Sequence, residues 1–309
     1  MKKFIKKIVL FALFSLLFFL IVLFIWGSYL PDAFKPNMNY RIGSYGHTFS
    51  RLKEVEQVKE VNVLFVGSSH AYRGFDTRIF ENQGIRSFNL GSGSQTPLQT
   101  KLLLDRYLDQ LNPQILVYEV YPATFDLDGV ESSLDIIANI ELHSDAIKMA
   151  FKINHLKVYQ TLLYGMMREL FNLNDGFYES IQKDHDTYIK GGFVEKELQY
   201  YKPNEQYQET WDFRSDQLEE FDEILKMMEQ RNIKVILVYA PITSGLYKSY
   251  TNHQEFDSLM SERAEYYNFN GVLQLQDTLH FYDSHHLNQK GVEIFNQKLI
   301  QIIKQDHLN

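Results

Sequence analysis

Residues 61–74 read "VNVLFVGSSHAYRG". An apolar, largely β-branched run stops at Gly67, and two serines and a histidine follow at once. Apolar runs without polar alternation belong to strands buried on both faces, as in parallel sheets. In open parallel sheets the turn after a strand's carboxyl end is where ligands and chemistry collect. The stretch therefore predicts a buried strand over Val61–Val66 that delivers Ser68 and Ser69 to that edge. Their hydroxyls can serve as a helix cap or supply a nucleophile that needs a base from elsewhere in the chain.

The same grammar recurs on either side. Ile85–Leu90 reads as a second strand, and Thr96–Leu111 as a helix with Leu98, Leu102, Leu103 and Leu108 on one face. Ile115–Val120 is a third strand, entered through "NP". Later, Asp216 and Glu219 form a candidate capping box for a helix running through Glu229, followed by a strand over Ile233–Tyr239. A short last strand is expected at Val272–Leu275, with a closing helix over Lys290–Lys304. Such alternation predicts an α/β protein with a parallel sheet covered by helices on both faces. Between Phe125 and Trp211 the pattern gives way to a polar, tyrosine-rich stretch with helical character. An insertion of this length after a strand's carboxyl end predicts a cap, residues 126–212, over a site within one domain spanning 59–309.

The N-terminus carries a different signal. Ile8 to Trp26 holds a single polar residue, Ser15, and as a helix would span about 28 Å, the thickness of a bilayer's hydrocarbon core. Lys2, Lys3, Lys6 and Lys7 precede it, which predicts a cytoplasmic N-terminus and an extracytoplasmic remainder. The run is longer than a signal peptide's apolar region, and "FIWGSYLPD" lacks a small-x-small cleavage pair. Residues 1–30 are thus expected to be a retained single-pass anchor and 31–58 a tether. The 309 residues contain no cysteine, so thiolate chemistry and disulfides are excluded. Without the four N-terminal lysines the chain has 27 basic against 39 acidic side chains, a formal −12, which argues against nucleic acid as a partner.

A serine nucleophile needs a base, and the base needs a group that fixes its tautomer. Near the C-terminus "HFYDSHHLNQKG" offers both, with Asp283 and His286 three residues apart just before the closing helix. The turn "NLGSGSQTP" after the second strand is suited to present backbone N–H groups to an oxyanion. Three motifs now stand in order. Gly67-Ser68-Ser69, Gly93 in "GSGSQT", and Asp283-Ser284-His285-His286-Leu287-Asn288 resemble the first, second and last sequence blocks of the SGNH (GDSL-like) esterase and acyltransferase superfamily. The first block has Ser where the family usually has Asp, a form that looks like the membrane-attached acyl-transfer branches, among them polysaccharide acetyltransferases and the D-alanyl-transfer protein of teichoic acids. The third block, Gly-x-Asn-Asp, has no counterpart in "LVYEVYPATFD".

The resemblance covers roughly residues 62–125 and 234–302. It implies a flavodoxin-like, doubly wound, three-layer α/β/α sheet, with Ser69 as nucleophile, His286 as base, Asp283 as its orienting acid, and the N–H groups of Ser69 and Gly93 as oxyanion donors. Ser68, His70, Arg73 and Thr124 are the remaining candidates for substrate contact, with Thr124 or a backbone N–H expected to stand in for the missing Asn. Arg73 could instead pair with Asp76 or Glu119. The expected substrate is a small acyl ester or an envelope carbohydrate, with no cofactor and no metal, and with an integral-membrane acyl-transfer partner conceivable.

Several competing readings attach to the same residues. His280, Asp283, His285 and His286 are all possible metal ligands, although adjacent histidines splay apart. Gly91-x-Gly93-x-x-Thr96 imitates a dinucleotide fingerprint but lacks its third glycine. Tyr200, Tyr201, Tyr207 and Trp211 could form a sugar-stacking surface, or plain packing. A catalytically silent carbohydrate-binding or assembly subunit built on the same fold is the rival for the whole chain.

Overall fold

The computed structural model describes residues 1–205 and 207–306. Three strands come first, β1 (Val63–Val66), β2 (Ser87–Asn89) and β3 (Ile115–Glu119). The insertion contributes β4 (Gln182–Lys183), β5 (Asp186–Ile189) and β6 (Phe193–Lys196). The C-terminal part adds β7 (Lys234–Tyr239) and β8 (Glu265–Asn268). One sheet runs β2-β1-β3-β7-β8 with every neighbouring pair parallel. Counted in chain order its strands stand 2-1-3-4-5, the flavodoxin-like arrangement, whose switch point lies between the strands here called β1 and β3.

Alternation along the strands separates two cores. Leu64, Val66, Leu116, Tyr118, Leu237 and Tyr239 face one layer, where helices Pro97–Leu111 and Ser215–Gln230 pack. Val63, Phe65, Val117, Ile236 and Val238 face the other, with the closing helix Gln289–Asp306 supplying Val292, Phe295 and Leu299. Both faces are dry, which is why these strands read as continuous apolar runs.

Two local expectations need correction. The fifth strand is Glu265–Asn268, not Val272–Leu275, and Val272 is exposed. An edge strand half open to water carries Tyr and polar residues instead of an apolar run, so "EYYN" hid from a hydrophobicity reading. The helix expected to start with a capping box at Asp216 begins at Ser215 with Arg214 as an uncapped N-cap; Asp216 instead pairs with Arg214. A capping box does form at Thr96–Gln99, where Pro97 opens the helix.

The insertion is helical only in its first half, through Val130–Asn139, Ser144–Ile153 and Leu156–Leu170. Its second half is the antiparallel sheet β4-β5-β6. Gly191 and Gly192, both at positive φ, turn the β5–β6 hairpin against β2. A Cβ on Gly192 would stand 2.3 Å from the Asn89 carbonyl oxygen, so the contact requires glycine. The Asn89 N–H donates to the Gly191 carbonyl at 2.8 Å.

The segment 31–58 is more than a tether. It contains the helix Thr48–Val55, whose Leu52 and Val55 join the core. Arg51 is fully buried and donates from Nε to the Gly192 carbonyl at 2.9 Å and from Nη2 to Gly46 at 2.9 Å. Before it, the apolar helix Lys2–Tyr29 has an 18-residue window of mean hydropathy 3.3 and is almost wholly exposed. It is long and apolar enough to cross a membrane.

Candidate active site

β1 ends at Val66, and Gly67, at φ +133, turns the chain so tightly against β3 that a Cβ would meet the Glu119 carbonyl oxygen at 2.6 Å. Ser68 then caps the short helix Ser69–Gly74, accepting from the His70 N–H at 3.3 Å. The cap reading and the nucleophile reading thus divide between two adjacent serines. Ser68 is spent on structure, while Ser69 opens into a cavity of about 620 Å³.

The loop before the closing helix brings the other partners. His286 Nε2 lies 2.8 Å from Ser69 Oγ, and His286 Nδ1 lies 2.9 Å from Asp283 Oδ2 and 3.1 Å from Oδ1. The loop is pinned by a bridge between Phe281 and Leu287 and by the Asn288 side chain, which donates to the carbonyls of Leu279 and Gln199 at 3.0 Å. Thr243, after β7, donates from backbone and hydroxyl to the Ser284 carbonyl. Asp283 Oδ1 also accepts the N–H groups of His285 and His286 at 2.8 and 2.7 Å. Burial pushes the Asp283 carboxyl up, but the hydrogen bond and charge of His286 and those two N–H donors outweigh it and leave the group below the ordinary range. It is therefore a carboxylate, able to hold Nδ1 protonated and Nε2 free to accept.

Aromatic rings fix the imidazole from both sides. Tyr282 stacks on His286 with centroids 5.4 Å apart and planes 4° from parallel. His70 sits at 4.9 Å from His286 and stacks on Tyr121 at 4.1 Å. Burial, with the charges of His286 and His285, lowers the His70 pKa well below that of free histidine, so it stays a neutral wall. His285 turns away, its Nδ1 3.0 Å from the Tyr121 hydroxyl.

Gly93 lines the same cavity, and the N–H groups of Ser69 and Gly93 have no backbone acceptor among the described residues. A Cβ on Gly93 would meet nothing within 4 Å, whereas one on Gly91 would stand 2.9 Å from the Ser68 carbonyl oxygen. Of the two glycines, Gly91 is the one that packing requires.

Three candidate contacts fall elsewhere. Thr124 is buried, its hydroxyl donating to the Tyr121 carbonyl at 2.7 Å, because the chain turns into the short helix Ala123–Asp126 immediately after β3; it does not line the cavity and cannot replace the missing Asn. Ser68 and His70 lie beneath the cavity wall. Arg73 does line the cavity, but its partner is neither Asp76, which binds Arg78, nor Glu119. It forms a two-pronged pair with Asp186 on β5, at 2.7 and 3.1 Å, that ties the Ser69–Gly74 helix to the insertion. Lys196 shares the same carboxylate.

Glu119 places an acid within the apolar run "ILVYEVY", a visible sequence signal for a buried polar group. Fully buried at the end of β3, it accepts from the Ser68 hydroxyl at 3.2 Å. Burial pushes its carboxyl up to about 8, against the opposing pull of the Ser68 hydroxyl and the backbone N–H groups of Ala240, Ser68 and Tyr121.

The metal alternative finds no support in the geometry. His280 Nδ1 accepts the Gln276 N–H, His285 and His286 point to different partners, and no three potential ligands converge among the described residues. The aromatic stretch of the insertion does not form one stacking surface either. Trp211 is buried against Tyr250, while Tyr200 and Tyr207 are exposed outside the cavity.

Among solved structures the chain is similar to a GDSL-like lipase from Bacteroides thetaiotaomicron, at 12% identity and TM-score 0.42 over 85% of this chain and 99% of that one. It is also similar to the psychrotrophic esterase EstA from Pseudoalteromonas, at 14% identity and TM-score 0.35 over 80% and 100% of the respective chains. No protein-family model matches the sequence, and no curated protein does.

Proposed function

We propose that the protein is a serine esterase or O-acyltransferase of the SGNH type, held outside the cytoplasm by its N-terminal helix and acting on an acyl group carried to or from an envelope carbohydrate. The observation that carries this reading is the 2.8 Å contact of Ser69 Oγ with His286 Nε2, backed by the Asp283 carboxylate on Nδ1. In the first half-reaction His286 Nε2 takes the hydroxyl proton as Ser69 Oγ attacks the acyl carbonyl carbon. The oxyanion is met by the Ser69 and Gly93 N–H groups. Collapse breaks the bond to the leaving alkoxide, which takes the proton from His286. A water or a sugar hydroxyl then repeats the sequence in reverse on the acyl-serine, regenerating the free hydroxyl and releasing acid or acylated acceptor.

A carbohydrate acceptor is supported by a mixed polar and aromatic lining that includes Ser44, Tyr45, Tyr72, Ser94 and Tyr282. A membrane-proximal acceptor is supported by Asn39 and Arg41, which follow the apolar helix closely and reach the same cavity. An integral-membrane donor of acyl groups fits this placement.

The test is turnover of p-nitrophenyl acetate by the full chain in nanodiscs, with and without added oligosaccharide. Release of p-nitrophenol with acetate appearing on the sugar is expected, and hydrolysis alone would narrow the activity to an esterase. No turnover and no acetyl-serine, with or without the sugar, would contradict the proposal and leave the binding or assembly subunit.

A further inference from the structure

Of the insertion's exposed apolar residues, which also include Phe151, Leu156, Ile181 and Leu198 elsewhere on its surface, four gather at one end of a helix. Met166 and Leu170 lie one turn apart on the helix Leu156–Leu170, 39% and 75% exposed, and Phe171 and Leu173 in the turn after it are 58% and 44% exposed. Opposite this helix stands the end of the apolar N-terminal helix. Gly27 abuts Tyr164 so closely that a Cβ would be 2.4 Å from its ring. Phe24 meets Tyr164 at 6.2 Å and Phe171 at 5.6 Å between centroids. As numbers fall along one helix they rise along the other, so the two run antiparallel.

That sense has a consequence for depth. Six residues of helix carry Leu170 about 9 Å past Tyr164, away from Gly27 and toward the long lipid-compatible part of the N-terminal helix. Trp26, whose indole N–H donates to the Phe34 carbonyl, marks the end of the apolar run, where aromatic side chains favour a membrane–water boundary. Leu170 and Phe171 therefore lie on the bilayer side of that boundary, continuous with the exposed apolar face of the N-terminal helix. Their environment there would be hydrocarbon, which removes the cost of showing these two large apolar groups to water.

We infer that the end of the Leu156–Leu170 helix, with Phe171 and Leu173, is a second membrane contact, seated in the same leaflet that the N-terminal helix leaves. This rests on the reading of that helix as an anchor. The domain is then held by two points instead of swinging on one, and the cavity walls supplied by Asn39, Arg41 and Lys157 keep a fixed height above the lipid. Lys157 lines the cavity from the first turn of the very helix whose far end enters the bilayer.

The chain has no cysteine, so single reporters can be placed without background. Leu170→Cys and Leu173→Cys, with Tyr207→Cys as a control on an exposed site of the same insertion, are labelled with an NBD fluorophore in the full chain and reconstituted into phosphatidylcholine–phosphatidylglycerol (3:1) liposomes. Blue-shifted emission and at least about twofold quenching by doxyl-labelled lipid are expected at 170 and 173 and not at 207. If the chain resists alkaline carbonate extraction but the probes at 170 and 173 behave like that at 207, the contact is overturned while the anchor stands. If carbonate releases the chain, anchor and contact fall together. A response that appears only when a membrane protein is added would replace the lipid surface by a protein partner and overturn the inference. None of these readouts depends on catalysis, so failure of the esterase reading is seen separately.

Discussion

The two walls of the cavity are built on different principles. One is carried by the ends of parallel strands, where Ser69 follows β1, Gly93 follows β2 and the His286 loop is tied to the turn after β7 through Thr243. Its positions are fixed by a sheet dry on both faces. The other is carried by the segment 31–58 and the insertion, and is held by polar contacts. Among these are Arg73 with Asp186, Arg51 with Gly192, the Thr48 hydroxyl with Asp135 at 2.8 Å and Ser50 with Glu179 at 2.7 Å. The first wall is suited to holding reacting atoms within tenths of an ångström, the second to shaping what may enter.

If that division is right, changes on the two walls should separate in what they disturb. The largest effect is expected on the strand-borne side. Asp283→Asn preserves size but leaves Nδ1 facing an amide, so kcat for p-nitrophenyl acetate should fall by about 10³–10⁴-fold with KM little changed. A comparable rise in KM would break the division. Where the other wall meets the Ser69–Gly74 helix, Arg73→Ala leaves Asp186 with Lys196 alone and should cost about 2 kcal/mol of stability, read from denaturant curves. Asp186→Ala in the same background should cost less than it does alone. Additive losses would show that the pair is not the tie between helix and insertion.

Glu119 sits under the first wall and gives a pH signature. Its folded-state pKa of about 8 exceeds the ordinary 4.5, so between these values the unfolded chain releases a proton that the folded chain keeps. The Glu119 contribution to stability must therefore decline as pH rises through that window. Asp135, raised to about 6 by burial, adds to the decline below pH 6, and burial of His47 and His70, which lowers both, opposes it through the ordinary histidine value of 6.5, so the comparison belongs between pH 7 and 8. There Glu119→Gln should flatten the loss seen in the parent chain, and parallel curves would contradict the assignment. The smallest change is expected for Gly93→Ala, whose Cβ enters open cavity. The unfolding free energy read from denaturant curves should change by no more than about 0.5 kcal/mol while turnover falls, and Gly91→Ala should do the reverse damage, to the fold.

The contrast between the walls also explains what the sequence disclosed. The strands β1, β3 and β7 are legible because burial on both sides leaves them largely apolar, and the motifs that hold Ser69, Gly93, Asp283 and His286, which the fold brings to one cavity, are legible because each follows a strand or precedes a clear helix. β8 was not, because an edge strand is only half buried. The partner of Arg73 was not legible either. Asp186 lies 113 residues away on a hairpin whose polar alternation resembles a loop, and nothing local selects it over Asp76. Thr124 was misplaced because the turn after β3 spends its hydroxyl on Tyr121. Tyr282 had a visible signal in its position beside Asp283, but only the folded loop shows that it lies flat on His286.

Covalent labelling reads whether Ser69 is an activated nucleophile. The full chain in nanodiscs is exposed to a fluorophosphonate probe and digested, and the modified residue is identified by mass spectrometry beside Ser69→Ala and His286→Ala. Modification is expected at Ser69 alone, absent from the Ser69→Ala chain and slowed at least about 10³-fold without His286. An unlabelled parent chain, or labelling that persists unchanged in Ser69→Ala, would contradict it.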